Sequence, residues 1–143
     1  MRKHQVYIGG VALAPQDTLE SAWEAFGEDM EVWNEALASD RLHPVELAAL
    51  LHLRLVCVHP FVDGNGRMAR LLARHVLRAA GFPEFIVVDS LKEEYFDAIQ
   101  LSHFDGDVRP FVRFFMERVS ESIRWRLERS IFEAASAPLQ EGA

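Results

Sequence analysis

The stretch from residue 44 to residue 81 reads PVELAALLHLRLVCVHPFVDGNGRMARLLARHVLRAAG, and its two halves follow different rules. In the first half Leu47, Leu50, Leu51, Leu55 and Val58 recur at helical spacing, with apolar residues at most positions between them. A helix that is apolar nearly all round has no face for water and belongs at the centre of a fold. Pro44 suits its first turn, and Pro60 ends it because the ring lacks an N–H and collides with the preceding turn. The second half, about 66–80, sets Arg67, Arg70, Arg74 and Arg78 on one helix face. Gly81 stops that helix, with Pro83 just beyond it.

Working outward, residues 17–37 read as a helix capped by Asp17, with Leu19, Trp23, Phe26, Met30, Trp33 and Leu37 three or four apart and Gly27 as an interruption. Upstream, QVYIGGVALA over 5–14 reads as a β-hairpin turning at Gly9-Gly10, where glycine supplies positive φ angles. Downstream, 82–88 is an extended connector, and Asp89 or Ser90 caps a helix through His103 that Asp105-Gly106-Asp107 brings to an end. A last helix begins near Pro110 and runs through Phe111, Phe114, Phe115, Val119, Ile123, Trp125 and Leu127 to about Ala135, leaving 136–143 as a disordered tail. The expected fold class is all-α, a bundle around a central buried helix with one hairpin.

The 143 residues suit one domain, hold no run of eighteen apolar residues, and carry no signal-like start. With 15 Lys and Arg against 22 Asp and Glu, the net charge of −7 argues against nucleic-acid and membrane binding, which need a basic surface. Positive charge is concentrated instead: residues 51–78 carry a net +4, which suits a small anion. The single cysteine, Cys57, lies in an apolar run, as expected of a buried thiol in the cytoplasm.

The chemistry lies in HPFVDGNGRMAR, residues 59–70. Gly64-Asn65-Gly66 alone is ordinary turn punctuation. Ahead of an arginine-bearing helix, its free N–H groups also sit at the positive end of the helix dipole and can cradle phosphate. Asp63 reads either as a helix cap or as the single carboxylate that Mg²⁺ takes beside phosphate oxygens. Arg67 and Arg70 share a face from which guanidinium forks can grip phosphate, whereas Arg74 and Arg78 read as a solvated face. His59 stands at the mouth of the turn, where a neutral imidazole can take a proton from a hydroxyl. His4, His43, His52 and His75 read as structural or surface residues, and Phe61 as an anchor for the loop. A base, a metal carboxylate, an anion hole and two arginines suit phosphoryl or nucleotidyl transfer, and no Walker, kinase or HExxH pattern is present.

The segment resembles the Fic family, whose signature HxFx[D/E]GNGRxxR is met at His59, Phe61, Asp63, Gly64, Asn65, Gly66, Arg67 and Arg70. The likeness extends over about 3–125, is strongest to animal-type members, and implies a single Fic domain over 1–143. It implies ATP as substrate, Mg²⁺ on Asp63, and AMP transfer to a Ser, Thr or Tyr hydroxyl of a target protein, with His59 as general base and pyrophosphate leaving. Gly64, Asn65, Gly66, Arg67 and Arg70 would hold the phosphates, and Tyr95 and Phe96 the adenine. The hairpin, with Val6, Tyr7, Ile8, Gly9, Gly10 and Val11, would be a flap on which the target docks by adding a strand. Self-modification and a homodimer are compatible with this reading.

Three departures from the family pattern bear on it. His103 stands where close relatives have Asn in the adenine region, followed by one extra residue before Gly106. No convincing inhibitory [S/T]xxxE[G/N] helix is present, since Ser90 to Glu94 lacks the final Gly or Asn and the tail match at 137–142 lacks the hydroxyl and contains Pro138. The chain also begins almost at the flap, as expected of a shortened core. The alternatives are removal of AMP, transfer from another nucleotide donor, and a non-catalytic module that senses nucleotide.

Overall fold

The helix read as central is central. In the computed structural model, which describes residues 1–8, 11–12 and 18–136, it runs over Pro44–Val58 and is numbered α2 after α1, Leu19–Ala38. It packs against α1, against α3 (Asn65–Ala79), and against α4 (Lys92–Asp105) and α5 (Arg109–Ser136). Leu47, Leu51, Leu55 and Val58 along α2 are all buried, as its all-round apolar sequence requires.

The start of α2 is closed by reciprocal bonds that satisfy groups a helix terminus leaves unpaired. The Val45 N–H donates to His43 Nδ1 at 3.2 Å, and the His43 N–H donates to Glu46 Oε2 at 3.1 Å. His43 is thus structural, as expected.

α3 lies closely along α2 because the residues it turns inward, Ala69, Ala73 and Leu77, are small or smooth and wholly buried, while its arginines face out. At the far end of the core, Phe85, Tyr95, Phe111, Phe114 and Phe115 form an aromatic cluster in which Phe85 stacks on Phe115 at 4.1 Å. The buried Ser102 hydroxyl accepts the Phe111 N–H at 3.1 Å and fixes the start of α5 against α4.

Several boundaries differ from expectation. α1 passes through Gly27 unbroken, since one helical glycine costs only about 1 kcal/mol and buried Leu19 and Phe26 hold the helix down. A 3-10 turn over Asp89–Leu91 precedes α4, which continues to Asp105 before Gly106 ends it in the left-handed conformation. Ser136, expected in a disordered tail over 136–143, still belongs to α5, while the cap expected at Asp17 and residues 137–143 lie outside the described residues.

The hairpin must be corrected. Gln5 and Val6 belong to no strand, and among the described residues what pairs is Tyr7–Ile8 with Val11–Ala12, Tyr7 opposite Ala12 and Ile8 opposite Val11. Two residues against two form no independently stable hairpin. No flap spanning 5–14 is present among the described residues, and the turn at Gly9 and Gly10 lies outside them. The fold class is therefore an all-α helical bundle without the flap. Docking of a target by strand addition to Val6, Tyr7, Ile8 and Val11 falls with it, because strand addition needs a longer run of edge groups. Among the described residues no helix is long and apolar enough to cross a membrane.

Candidate active site

The site is built at the corner between α2 and α3. Pro60 cannot continue the helix, and His59 takes the turn itself, with φ 51° and ψ 55° and its N–H still bonded to the Leu55 carbonyl at 2.9 Å. A left-handed histidine is uncommon, and Arg2 holds this one in place. The buried Arg2 donates from Nε to the His59 carbonyl at 2.8 Å, from Nη1 to the His4 carbonyl at 2.8 Å, and from its backbone N–H to the Pro60 carbonyl at 2.7 Å.

The His59 ring is half-buried, with Nδ1 3.2 Å from the Val56 carbonyl oxygen. A carbonyl only accepts, so Nδ1 carries the proton and Nε2 keeps its lone pair. Burial lowers the His59 pKa below its ordinary value; the Val56 hydrogen bond opposes that shift in part and the Arg2 charge reinforces it. The ring is neutral at pH 7.

After the corner, Asn65 folds the loop back on itself. Its Oδ1 accepts the Phe61 N–H at 2.9 Å and its Nδ2 donates to the Phe61 carbonyl at 2.9 Å, with Asn65 itself buried. Both polar ends of this side chain are therefore engaged within the loop, and what Asn65 offers an anion is its backbone. Phe61 is more exposed than an anchor should be and meets the edge of Trp23 at 6.2 Å.

Gly64, at φ 86°, caps α3 in a conformation that side chains disfavour. The first intrahelical bond of α3 runs from the Met68 N–H to the Gly64 carbonyl, so the N–H groups of Asn65, Gly66 and Arg67 lack an acceptor within the helix. Over them hang two guanidinium groups. A Cβ placed on Gly64 would lie 3.5 Å from Arg67 Nη2, and one on Gly66 would lie 3.5 Å from Arg70 Nη1.

Asp63 accepts the Gly64 N–H at 2.6 Å and pairs with Arg67 at 3.3 Å, both side chains being largely exposed. Such a pair is weak and readily exchanged. Arg74 pairs with Glu84 at 2.9 Å, in keeping with its reading as a surface residue. Arg70 lies between Arg67 and Arg74 on that face and has no carboxylate partner among the described residues.

Behind Arg70 opens a cavity of about 290 Å³ lined also by His52, Lys92, Tyr95 and Phe96. Tyr95 is buried and its phenol is pushed up to about 12 by that burial, while Phe96 is exposed at the rim. His103 is not in this cavity. It lines another, of about 360 Å³, with Asp29, Trp33, Arg54 and Cys57. Burial raises the Cys57 thiol to about 12, which keeps it protonated and unreactive.

A model of the Fic/DOC family matches residues 1–77, more than half of the chain. The chain belongs to the Fic/DOC family. It is 39% identical over 122 residues to the protein adenylyltransferases Fic of Drosophila mojavensis and of Drosophila melanogaster, a match that takes in 85% of the chain. It spans 23% and 24% of the lengths of those relatives. Among solved structures, Fic-1 of Caenorhabditis elegans (residues 134–508) superposes with a TM-score of 0.72 at 32% identity, over 92% of this chain and 37% of that one. A Fic domain containing signaling protein of Bacteroides thetaiotaomicron gives 0.62 at 29% identity, over 81% and 50%.

The Fic motif implies a magnesium ion, and the residues present fit one. Asp63 is one exposed carboxylate beside unpaired backbone donors, which suits an ion that keeps most of its waters and bridges to phosphate. Among the described residues no group of three or more His, Cys, Asp or Glu could hold a metal without such a phosphate.

Sequence reasoning missed Arg2, whereas His52, expected to be structural, is wholly buried in the aromatic core. Arg2 gives no local signal, being far from the motif in the chain.

Proposed function

We propose that this Fic-family chain is the core of a protein adenylyltransferase that moves AMP from ATP to a Ser, Thr or Tyr hydroxyl of a target protein and releases pyrophosphate. The observation that carries the reading is the 3.2 Å approach of His59 Nδ1 to the Val56 carbonyl, which favours a proton on Nδ1 and leaves Nε2 to accept one, at the corner that leads into the anion cradle. The name borne by the Drosophila relatives supports the same reaction.

Nucleotide phosphates are held by the unpaired N–H groups at the start of α3 and by Arg67 and Arg70, which neutralise charge where it develops. Asp63 would hold magnesium, which when bound would supply electrostatic neutralisation of the phosphate oxygens. His59 Nε2 takes the proton of the incoming hydroxyl as its oxygen attacks the α-phosphorus, opposite the departing pyrophosphate. Arg2 keeps that imidazole oriented by gripping the backbone on which it is mounted.

ATP labelled at the α-phosphate, given with magnesium and a lysate or the protein alone, tests the proposal. Label should appear on protein and be absent with His59→Ala. Label transferred only from the γ-phosphate would reject it.

A further inference from the structure

The loop that carries the base also carries apolar surface left open to solvent. Just after His59, Val62 is 81% exposed and Phe61 37%, and Phe61 meets Trp23 of α1 edge to ring at 6.2 Å. A hydroxyl that gives its proton to His59 Nε2 must come within about 3 Å of it. Three residues separate His59 from Val62, so their Cα atoms are at most about 11 Å apart. A polypeptide presenting that hydroxyl spans as much with about three or four extended residues, which brings Phe61 and Val62 within its reach.

What flanks this surface is strongly acidic. In a chain of net charge −7, α1 holds Glu20, Glu24, Glu28, Asp29, Glu31 and Glu35 and no Lys or Arg. Asp29 is matched by Arg54 at 2.9 Å. The five glutamates are exposed, and none forms an ion pair among the described residues. At about 100° per residue they fall roughly 60–140° round the helix from Trp23, on the side away from buried Leu19 and Phe26. The ridge therefore runs beside the ring that Phe61 meets. Its members stand three or four residues apart, where like charges weaken a helix, and Glu35 lies in the last turn, where the helix dipole disfavours it. Within the fold this arrangement is a cost, and a cationic partner removes it.

We infer that the target segment docks on Phe61 and Val62 with basic residues of its own against the glutamate ridge of α1, so that the substrates of this site are hydroxyl side chains flanked by an apolar residue and by Lys or Arg. This rests on the adenylyltransferase reading, which brings a target hydroxyl to His59, and it takes the place of the strand addition that the short β pairing rules out.

Synthetic peptides with a central Ser, Thr or Tyr, a neighbouring Leu, and flanks of Arg, Gln or Glu test it. Fluorescence anisotropy with the unmodified chain and no ATP should show the Arg peptides binding about tenfold tighter than the Glu peptides, a gap that narrows as salt is raised. In the combined variant Glu20→Gln, Glu24→Gln, Glu28→Gln the gap should shrink to about twofold, with the melting temperature no lower and MgATP affinity unchanged. Val62→Ser should weaken all the peptides alike, by about fivefold, as expected for partial burial of that side chain. Equal affinities for the three flanks, a preference that survives the combined variant or ignores salt, or a Val62→Ser chain that binds as the parent does would overturn the inference.

The same peptides given ATP labelled at the α-phosphate separate the two readings. Label should follow the order of binding, and label that ignores that order would overturn the docking. Arg peptides that bind in this order while neither they nor any lysate protein gains label would leave the surface standing and overturn the adenylyltransferase reading instead.

Discussion

His59 Nδ1 lies 3.2 Å from the carbonyl oxygen of Val56, one helical turn earlier in α2. The helix end therefore favours one tautomer of this ring, the one the proposed role as base requires. Because burial holds the His59 pKa below its ordinary value of about 6.5, the imidazole stays deprotonated into mildly acidic solution. The acid limb of kcat/KM against pH should fall below that value, and His59→Ala should lower the rate by about 10²–10⁴-fold with the melting temperature little changed.

Stability should also depend on His52. The unfolded chain protonates this ring near the ordinary value of about 6.5, whereas burial lowers the folded-state pKa to about 3. The unfolded state thus binds the extra proton within that window. The stabilisation is complete above it and is lost as pH falls, by about 1.4 kcal/mol per pH unit. Denaturant titrations from pH 7 to pH 4 should show a shallower slope in His52→Phe than in the parent.

The two glycines of the cradle should respond differently to alanine. At Gly64 the φ of 86° makes a side chain strained, and Gly64→Ala should cost about 1–2 kcal/mol. Gly66 lies in the helix with a negative φ, where alanine is favoured, so Gly66→Ala should melt no lower. Its new methyl would sit 3.5 Å from Arg70 Nη1, against the phosphate path, and ATP affinity should fall. Thermal melts and ATP titrations on both variants check this pair.

Asn65→Ala should remove both bonds that tie the buried Asn65 side chain to the Phe61 backbone. A loss of about 1–3 kcal/mol is expected from denaturant unfolding, together with loss of transfer activity.

Arg2→Ala should act at a distance. Losing the side-chain bonds to the His59 and His4 carbonyls should lower stability by about 2–3 kcal/mol. With His59 freer to turn, kcat should fall more than KM rises.

Much of this was legible in the chain itself. The apolar run of α2, the arginine face of α3 and the motif at 59–70 are local patterns, and periodicity reads them directly. Arg74, expected on a solvated face, is there with Glu84. The hairpin misled because Gly9-Gly10 between apolar runs has the composition of a turn, whereas the length of a ladder depends on what packs against its strands. Gly27 was given too much weight because burial along α1 outweighs one residue's propensity. Arg2 escaped because its role depends on partners from a remote part of the chain, which spacing cannot reveal. The inward turn of Asn65 was hidden by its neighbours, since a glycine-flanked asparagine looks exposed.

The strap from Arg2 also orders events in time. The bonds between Phe61 and Asn65 close over four residues, while those from Arg2 to His59 and Pro60 must bring together parts of the chain that α1 and half of the core separate. Short loops close early and long ones late. During refolding, the capacity to grip a nucleotide should return before the capacity to transfer from it.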